Sequence, residues 1–205
     1  MIAVVDYGSG NLHSIGSAFH MIGANVIVTN KPEDLREATH IVLPGVGAFG
    51  ECMKNLHASG IEGALAEEVL EKRKPFYGIC VGMQVLAREG HEFGVHRGLG
   101  WLNGIVRRFE VNEKEFKIPH VGWNDVIQTK ETPMLKGLGK DKTFYFTHSY
   151  HFVPSDEDLT AAVCDYSSNF TVAVQRDNIF ATQFHPEKSQ ENGLKLLENF
   201  LNWKP

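Results

Sequence analysis

Cysteine is scarce in this chain of 205 residues, which holds only Cys52, Cys80 and Cys164. They are too few and too scattered for a disulfide framework, and none stands in the Cys-x-x-Cys spacing of a thiolate metal site. Three unpaired thiols suit a reducing compartment, so a cytoplasmic protein is expected. Excess positive charge is missing too. Lys and Arg number 20 against 25 Asp and Glu, and the formal charge of −5 gives no electrostatic reason to bind nucleic acid or an anionic membrane. Long apolar runs are also absent. The start, Met1 followed by Ile2-Ala3-Val4-Val5-Asp6, has no basic flank and is far too short for a signal peptide or a membrane span. No repeat, low-complexity tract or linker interrupts the chain. The remaining composition, 42% hydrophobic and 22% charged, is that of a soluble globular protein. A single domain spanning 1–205 is expected.

The first half alternates short β-branched runs with helical stretches. Ile2–Tyr7, Asn25–Thr29 and His40–Leu43 read as buried strands, and a further strand leads into Cys80. Ser14–Ile22 reads as a helix stopped by Gly23, and Pro32 fits the first turn of the next one. Further helices are expected over Ile61–Lys74 and Gly82–Arg88. Strand, helix, strand at this spacing implies βαβ units and a parallel sheet. From Gly104 to about Gln183 the pattern changes to short β-like runs with turns between them, and an amphipathic helix over Asn192–Trp203 ends the chain. The expected fold is an α/β three-layer sandwich with a mainly parallel central sheet and an added, mostly antiparallel β region.

The segment Gly78-Ile79-Cys80-Val81-Gly82 follows an apolar strand and has the form of a nucleophile elbow. Its glycines let the backbone turn sharply enough to lift a thiol above the sheet edge. In open parallel sheets, ligands bind beyond the carboxyl ends of the strands. Gly8-Ser9-Gly10-Asn11, Pro44-Gly45-Val46-Gly47 and Gln183-Phe184-His185-Pro186-Glu187-Lys188 all sit at such ends. Residues i and i+2 of an extended chain point the same way, and Pro186 favours extension at His185. His185 and Glu187 can therefore serve together as a base and its orienting carboxylate, the logic of a Cys80-His185-Glu187 triad. Gly8-x-Gly10 fails as a dinucleotide fingerprint because His13 stands at the third glycine position. His148 and His151 lack acidic or cysteine ligands nearby, so no metal and no cofactor is expected.

The elbow and the Gln183–Glu187 segment resemble the triad, or class I, glutamine amidotransferases. Three further stretches narrow the likeness: Asp6-Tyr7-Gly8-Ser9-Gly10-Asn11-Leu12, Pro119-His120-Val121-Gly122-Trp123-Asn124 and His185-Pro186-Glu187-Lys188-Ser189-Gln190. Together they are similar to the branch formed by the glutaminase subunits of imidazole glycerol phosphate synthase, and the likeness runs from residue 2 to the C-terminal helix. Met83 stands where many relatives outside this branch carry His, and Val81 replaces a more usual Leu.

The resemblance implies that Cys80 attacks the side-chain amide of L-glutamine, forms a glutamyl thioester and releases ammonia. Lowering the thiol pKa raises the thiolate fraction but weakens the nucleophile, so the net gain is small. His185 matters more as the general acid that protonates departing ammonia. The resemblance also implies an oxyanion hole from the N–H groups of Val81 and Val46, and glutamine contacts from Gly47, Gln84, Ser149 and Tyr150. It further implies a partner, a TIM-barrel cyclase on a separate subunit, met through Asn11, Trp123 and Lys188. For Trp123, burial in this chain's own core is equally open. A stand-alone cysteine hydrolase and a non-enzymatic binding module are the competing readings.

Overall fold

Apolar runs without polar alternation are accommodated where both faces of a sheet are covered. In the computed structural model, which describes residues 1–112, 114–139 and 142–205, such runs form β1 (Ile2–Val5), β3 (His40–Gly45) and β4 (Phe76–Cys80), every residue of them buried. Beside β1 lies β2 (Val26–Thr29), an edge strand and partly exposed. The connections are α1 (Leu12–Met21), α2 (Pro32–Glu37), and α3 (Phe49–Ser59) followed by α4 (Glu62–Ala66). A π turn over Glu67–Glu71 breaks the single helix expected for Ile61–Lys74. Beyond β4 come α5 (Val81–Gln84), β5 (Glu89–Gly90), β6 (His96–Arg97), β7 (Gly104–Arg108), β8 (His120–Asp125) and β9 (Ile127–Gln128). Then follow β10 (Thr143–His148), β11 (Tyr150–Pro154), β12 (Thr160–Asp165), β13 (Asn169–Arg176), β14 (Ile179–Thr182) and α6 (Gln190–Leu201).

The main sheet has the order β2-β1-β3-β4-β14-β13-β12-β9, parallel as far as β14 and antiparallel beyond it. Right-handed crossovers place α1 on one face and α2 to α4 on the other, and α6 packs beside α1. The three-layer α/β sandwich is therefore present. One detail differs from the sequence expectation: β14 does not belong to the antiparallel region alone. It runs parallel to β4, with Thr182 opposite Ile79, and antiparallel to β13, with Thr182 opposite Ala173. The added region forms the rest of the main sheet, a ribbon of β8 and β10, and a small sheet β11-β7-β5-β6. Among the described residues no helix is long and apolar enough to cross a membrane.

The helix after the elbow is shorter than the expected Gly82–Arg88. It ends at Gln84 because the next amides leave the α-helical ladder. Leu86 N and Ala87 N donate to Met83 O and Gln84 O, three residues back, and Arg88 N donates to Gly104 O at 3.1 Å. The following carbonyls serve a returning segment. Val85 O accepts from Leu99 N at 2.8 Å, Leu86 O from Leu102 N at 2.9 Å, and Ala87 O from Gly100 N at 3.0 Å.

Candidate active site

Cys80 sits at the last position of β4 with φ +56° and ψ −113°, a conformation that L residues rarely hold. The surrounding glycines explain why the chain can hold it there. A Cβ on Gly82 would stand 1.9 Å from the Leu43 carbonyl oxygen, and one on Gly78 would stand 2.7 Å from Gly82 O. One on Gly45, the partner of Cys80 in β3, would meet Gly82 N at 2.6 Å. Only bare backbone lets β3, β4 and the start of α5 approach this closely.

β14 delivers the second half of the site. His185 follows it, extended at φ −100° and ψ 100°, and is pinned to the ribbon by His185 N donating to Tyr145 O at 2.9 Å. Glu187 reaches His185 differently from the expected extended chain. Pro186 opens a 3-10 turn over Pro186–Lys188, and the turn brings Glu187 Oε1 to 2.8 Å from His185 Nδ1. Both side chains are almost wholly buried. The carboxylate can only accept, so Nδ1 carries the proton and Nε2 is left to face Cys80. Burial alone would lower the His185 pKa. The charge of the adjacent Cys80 sulfur, and then Glu187, outweigh it and raise the imidazole to about 10. Buried Cys80, His185 and Glu187 thus form one electrostatic unit.

A cavity of about 160 Å³ opens on this unit. It is lined by Val46, Gly47, Cys80, Val81, Gln84 and Glu92 together with Thr147 to Tyr150, His185 and Lys188. Every residue assigned to catalysis, oxyanion or glutamine contact from sequence is therefore at this place, Glu187 lying just behind His185. Gln84 has less freedom than a substrate ligand would ordinarily have. Its amide nitrogen donates to Tyr150 O and Gln183 Oε1, both at 3.0 Å, so only its oxygen remains for a ligand. Gly47 lies at φ +113°, where glycine is required.

Two residues in this site escaped the sequence reading. Gln183 is fully buried, and its Nε2 donates to Cys80 Sγ at 3.7 Å, which orients the thiol. Its signal was present, because it stands two residues before His185 at the period that places side chains on one side of a strand. Glu92 is the one carboxylate among the lining residues. It arrives from the loop between β5 and β6 and is held by Phe49 N, which donates to Oε2 at 2.7 Å. No motif announced it.

Of the three residues assigned to a partner surface, Trp123 is 47% exposed, which decides against a place in the core. It packs on Tyr145 with centroids 6.0 Å apart, and the exposed Lys188 holds Nζ 5.3 Å from the same ring. Asn11 precedes α1, whose first turn borders a groove shared with Glu187 and Lys188. All three therefore flank the His185 edge of the site.

Comparison with known proteins agrees with this geometry. The family model for class I glutamine amidotransferases matches residues 3–203. The imidazole glycerol phosphate synthase subunit HisH 1 of Campylobacter jejuni (strain RM1221) is 47% identical, over 98% of this chain and 99% of its own. The subunit HisH of Acinetobacter baylyi is 46% identical, over 98% of each chain. Among solved structures, a glutamine amidotransferase superposes with TM-score 0.73 at 22% identity, covering 98% of both chains. PurLQS from Thermotoga maritima gives 0.72 at 21% identity, covering 98% of this chain and 97% of that one, a likeness of fold. A match this long leaves almost nothing of the sequence outside it, and the chain belongs to the class I glutamine amidotransferase family, within the group of imidazole glycerol phosphate synthase HisH subunits.

Proposed function

We propose that residues 1–205 act as one glutaminase domain, the ammonia-supplying subunit of an imidazole glycerol phosphate synthase in histidine biosynthesis. The observation that carries this reading is the buried chain Glu187–His185–Cys80 at the floor of a small cavity. The Cys80 thiol passes its proton to His185 Nε2 as its sulfur attacks the side-chain amide carbon of glutamine, and the carbonyl electrons move onto oxygen. Val81 N–H and Val46 N–H receive that oxyanion, each such donor being worth on the order of a hundredfold in rate. The C–N bond then breaks, with His185 Nε2 giving its proton to the departing nitrogen, since an amide anion cannot leave unprotonated. Water, deprotonated by the same imidazole, hydrolyses the thioester and frees glutamate. Glu187 holds the ring in the needed tautomer throughout.

Glutamine is a zwitterion, and Glu92 stands where its α-ammonium can be paired. Gly47, Gln84, Ser149 and Tyr150 complete its surroundings. Ammonia passes to a separate cyclase with a TIM-barrel fold, docked over Asn11, Trp123 and Lys188. That enzyme makes imidazole glycerol phosphate and an aminoimidazole carboxamide ribonucleotide. Three free thiols fit a cytoplasmic setting.

The test is product formation by the complex with the cyclase, driven either by glutamine or by added ammonium salts. Cys80→Ser should abolish the glutamine-driven reaction and leave the ammonium-driven one intact. Loss of both together would refute the role as ammonia donor. Glutamine hydrolysis that is equally fast with and without the cyclase would refute partner gating.

A further inference from the structure

One buried hydroxyl beneath the catalytic loop has no nitrogen or oxygen partner. Tyr7 lies just after β1 and is 4% exposed, and its hydroxyl, itself shielded from solvent, has only the thiol of Cys52 within reach. Its position singles it out: a Cβ built on Gly45 would stand 2.9 Å from it. Cys52 of α3, also wholly buried, lies beside it, and the Cys52 thiol donates to Val46 O at 3.6 Å. Two side chains therefore support the Gly45–Gly47 loop from below. Cys52 holds the carbonyl of the Val46–Gly47 peptide, and Tyr7 lies under the peptide before it.

That preceding peptide, Gly45–Val46, carries the N–H needed over Cys80. A trans peptide points its N–H and C=O to opposite sides. Aiming the Val46 N–H at an oxyanion above Cys80 therefore sends the Gly45 carbonyl the other way, into the interior. A buried carbonyl needs a donor there, or the orientation is disfavoured. We propose that Tyr7 is a positioning residue for the oxyanion hole, its hydroxyl donating to the Gly45 carbonyl when the Val46 N–H faces Cys80. The inference rests on the glutaminase reading above. Burial, with Cys52 and Cys80 nearby, pushes the phenol well above its ordinary acidity range, which keeps it a proton donor at every pH of interest. Cys52 fixes the far end of the same turn, so rotation is confined to the one peptide that matters.

Tyr7→Phe removes the hydroxyl and little else. Measured in the complex with the cyclase and its nucleotide ligand, the variant should lose about tenfold to a hundredfold in glutamine-dependent kcat. KM for glutamine should stay within about twofold, because the ground-state contacts are untouched. Ammonium-driven product formation by the same complex should keep its wild-type rate. Cys52→Ala, which frees the Val46 carbonyl, should lower the same kcat by a smaller factor. A Tyr7→Phe kcat equal to wild type, a loss carried entirely by KM, or a matching loss of the ammonium-driven rate would each overturn the proposal. A wild-type complex unable to hydrolyse glutamine would overturn the glutaminase reading itself.

Discussion

Mild acid should unfold this protein through histidines that take no part in the chemistry. His120, His148 and His151 are buried around Phe109, with His151 stacked on that ring at 4.6 Å between centroids. Hydrogen bonds fix the neutral forms of His120 and His148. His148 Nδ1 lies 2.9 Å from the Tyr150 carbonyl, which can only accept, so Nδ1 carries the proton and Nε2 is bare. His120 Nδ1, 3.1 Å from that Nε2, must then be the donor between the rings. A second proton on His148 would destroy this pairing inside a greasy shell. Burial accordingly lowers His148 to about 3, and lowers His120 and His151 to about 4.

The sign follows from proton counting. Below the ordinary imidazole value of 6.5 the unfolded chain binds protons that the folded one refuses, so the stabilisation present above 6.5 is lost as pH falls. At about 1.4 kcal/mol per pH unit, His148 alone withdraws about 2 kcal/mol by pH 5. His120 and His151 act in the same direction. His185, raised to about 10, cannot compensate. Its contribution is complete below the ordinary value and is lost only as pH rises through the folded one, so it is flat across the acid range. A typical domain is stable by roughly 5–15 kcal/mol, so these losses bring unfolding into reach near pH 4 to 5. Urea titrations at pH 7, 6 and 5, followed by tryptophan fluorescence, measure the slope. His148→Gln should be weaker than wild type at pH 7, but its loss between pH 7 and 5 should be smaller by about 2 kcal/mol. Identical losses in the two proteins would refute the reasoning, as would a His148 ring that titrates near 6.5 by NMR. Because His148 itself lines the cavity, a second proton there sets a positive charge beside the glutamine site, and KM for glutamine should rise before the fold is lost.

Three shorter expectations test other parts of the site. Gly82→Ala puts a methyl 1.9 Å from Leu43 O, an atom of backbone that cannot yield, and should cost about 3 kcal/mol in urea unfolding with near-complete loss of glutaminase activity. Glu92→Gln keeps an acceptor for Phe49 N but removes the charge, and should raise KM for glutamine about tenfold or more in steady-state assays while changing kcat little. Trp123→Ala should leave the thermal midpoint nearly unchanged, since the ring is half in solvent, but should weaken cyclase binding by about 2 kcal/mol or more in calorimetry.

Much of this was readable in the sequence because strand ends punctuated by glycine and proline leave strong local marks. Cys80, Val46 and His185 were placed by such marks, and the parallel core by its unalternating apolar runs. α3 was missed even though Phe49, Cys52, Met53 and Leu56 repeat at helical spacing and are all buried, because Gly45, Gly47 and Gly50 make its approach read as loop. The pairing of β14 with β4 joins segments a hundred residues apart through long-range contacts, and no local pattern encodes it. Glu92 is the same kind of case. Its carboxylate matters only because α3 and the β5–β6 loop meet, and Phe49 N holds it at the cavity. The route by which Glu187 reaches His185 was mistaken for an extended chain, because Pro186 is compatible with extension before it and with the first turn of a 3-10 helix at its own position.

The two proposed oxyanion donors differ in how firmly the fold holds them, and this limits where control can enter. Val81 opens α5 directly behind Cys80, and its backbone is locked from three sides by the close approaches at Gly45, Gly78 and Gly82. Moving it would break the β3–β4 pairing that forms the sheet centre. Val46 is half exposed, and a Cβ on the adjoining Gly47 would meet nothing nearer than Glu51 Oε2 at 3.9 Å. One donor is thus built into the core and the other hangs on a short loop at the cavity rim. A cyclase docked, as proposed, on the Trp123 and Lys188 side of the cavity would have no lever on the first. It can act on the second through the cavity wall, where a change in the aim of a single peptide separates an oxyanion hole with one donor from one with two.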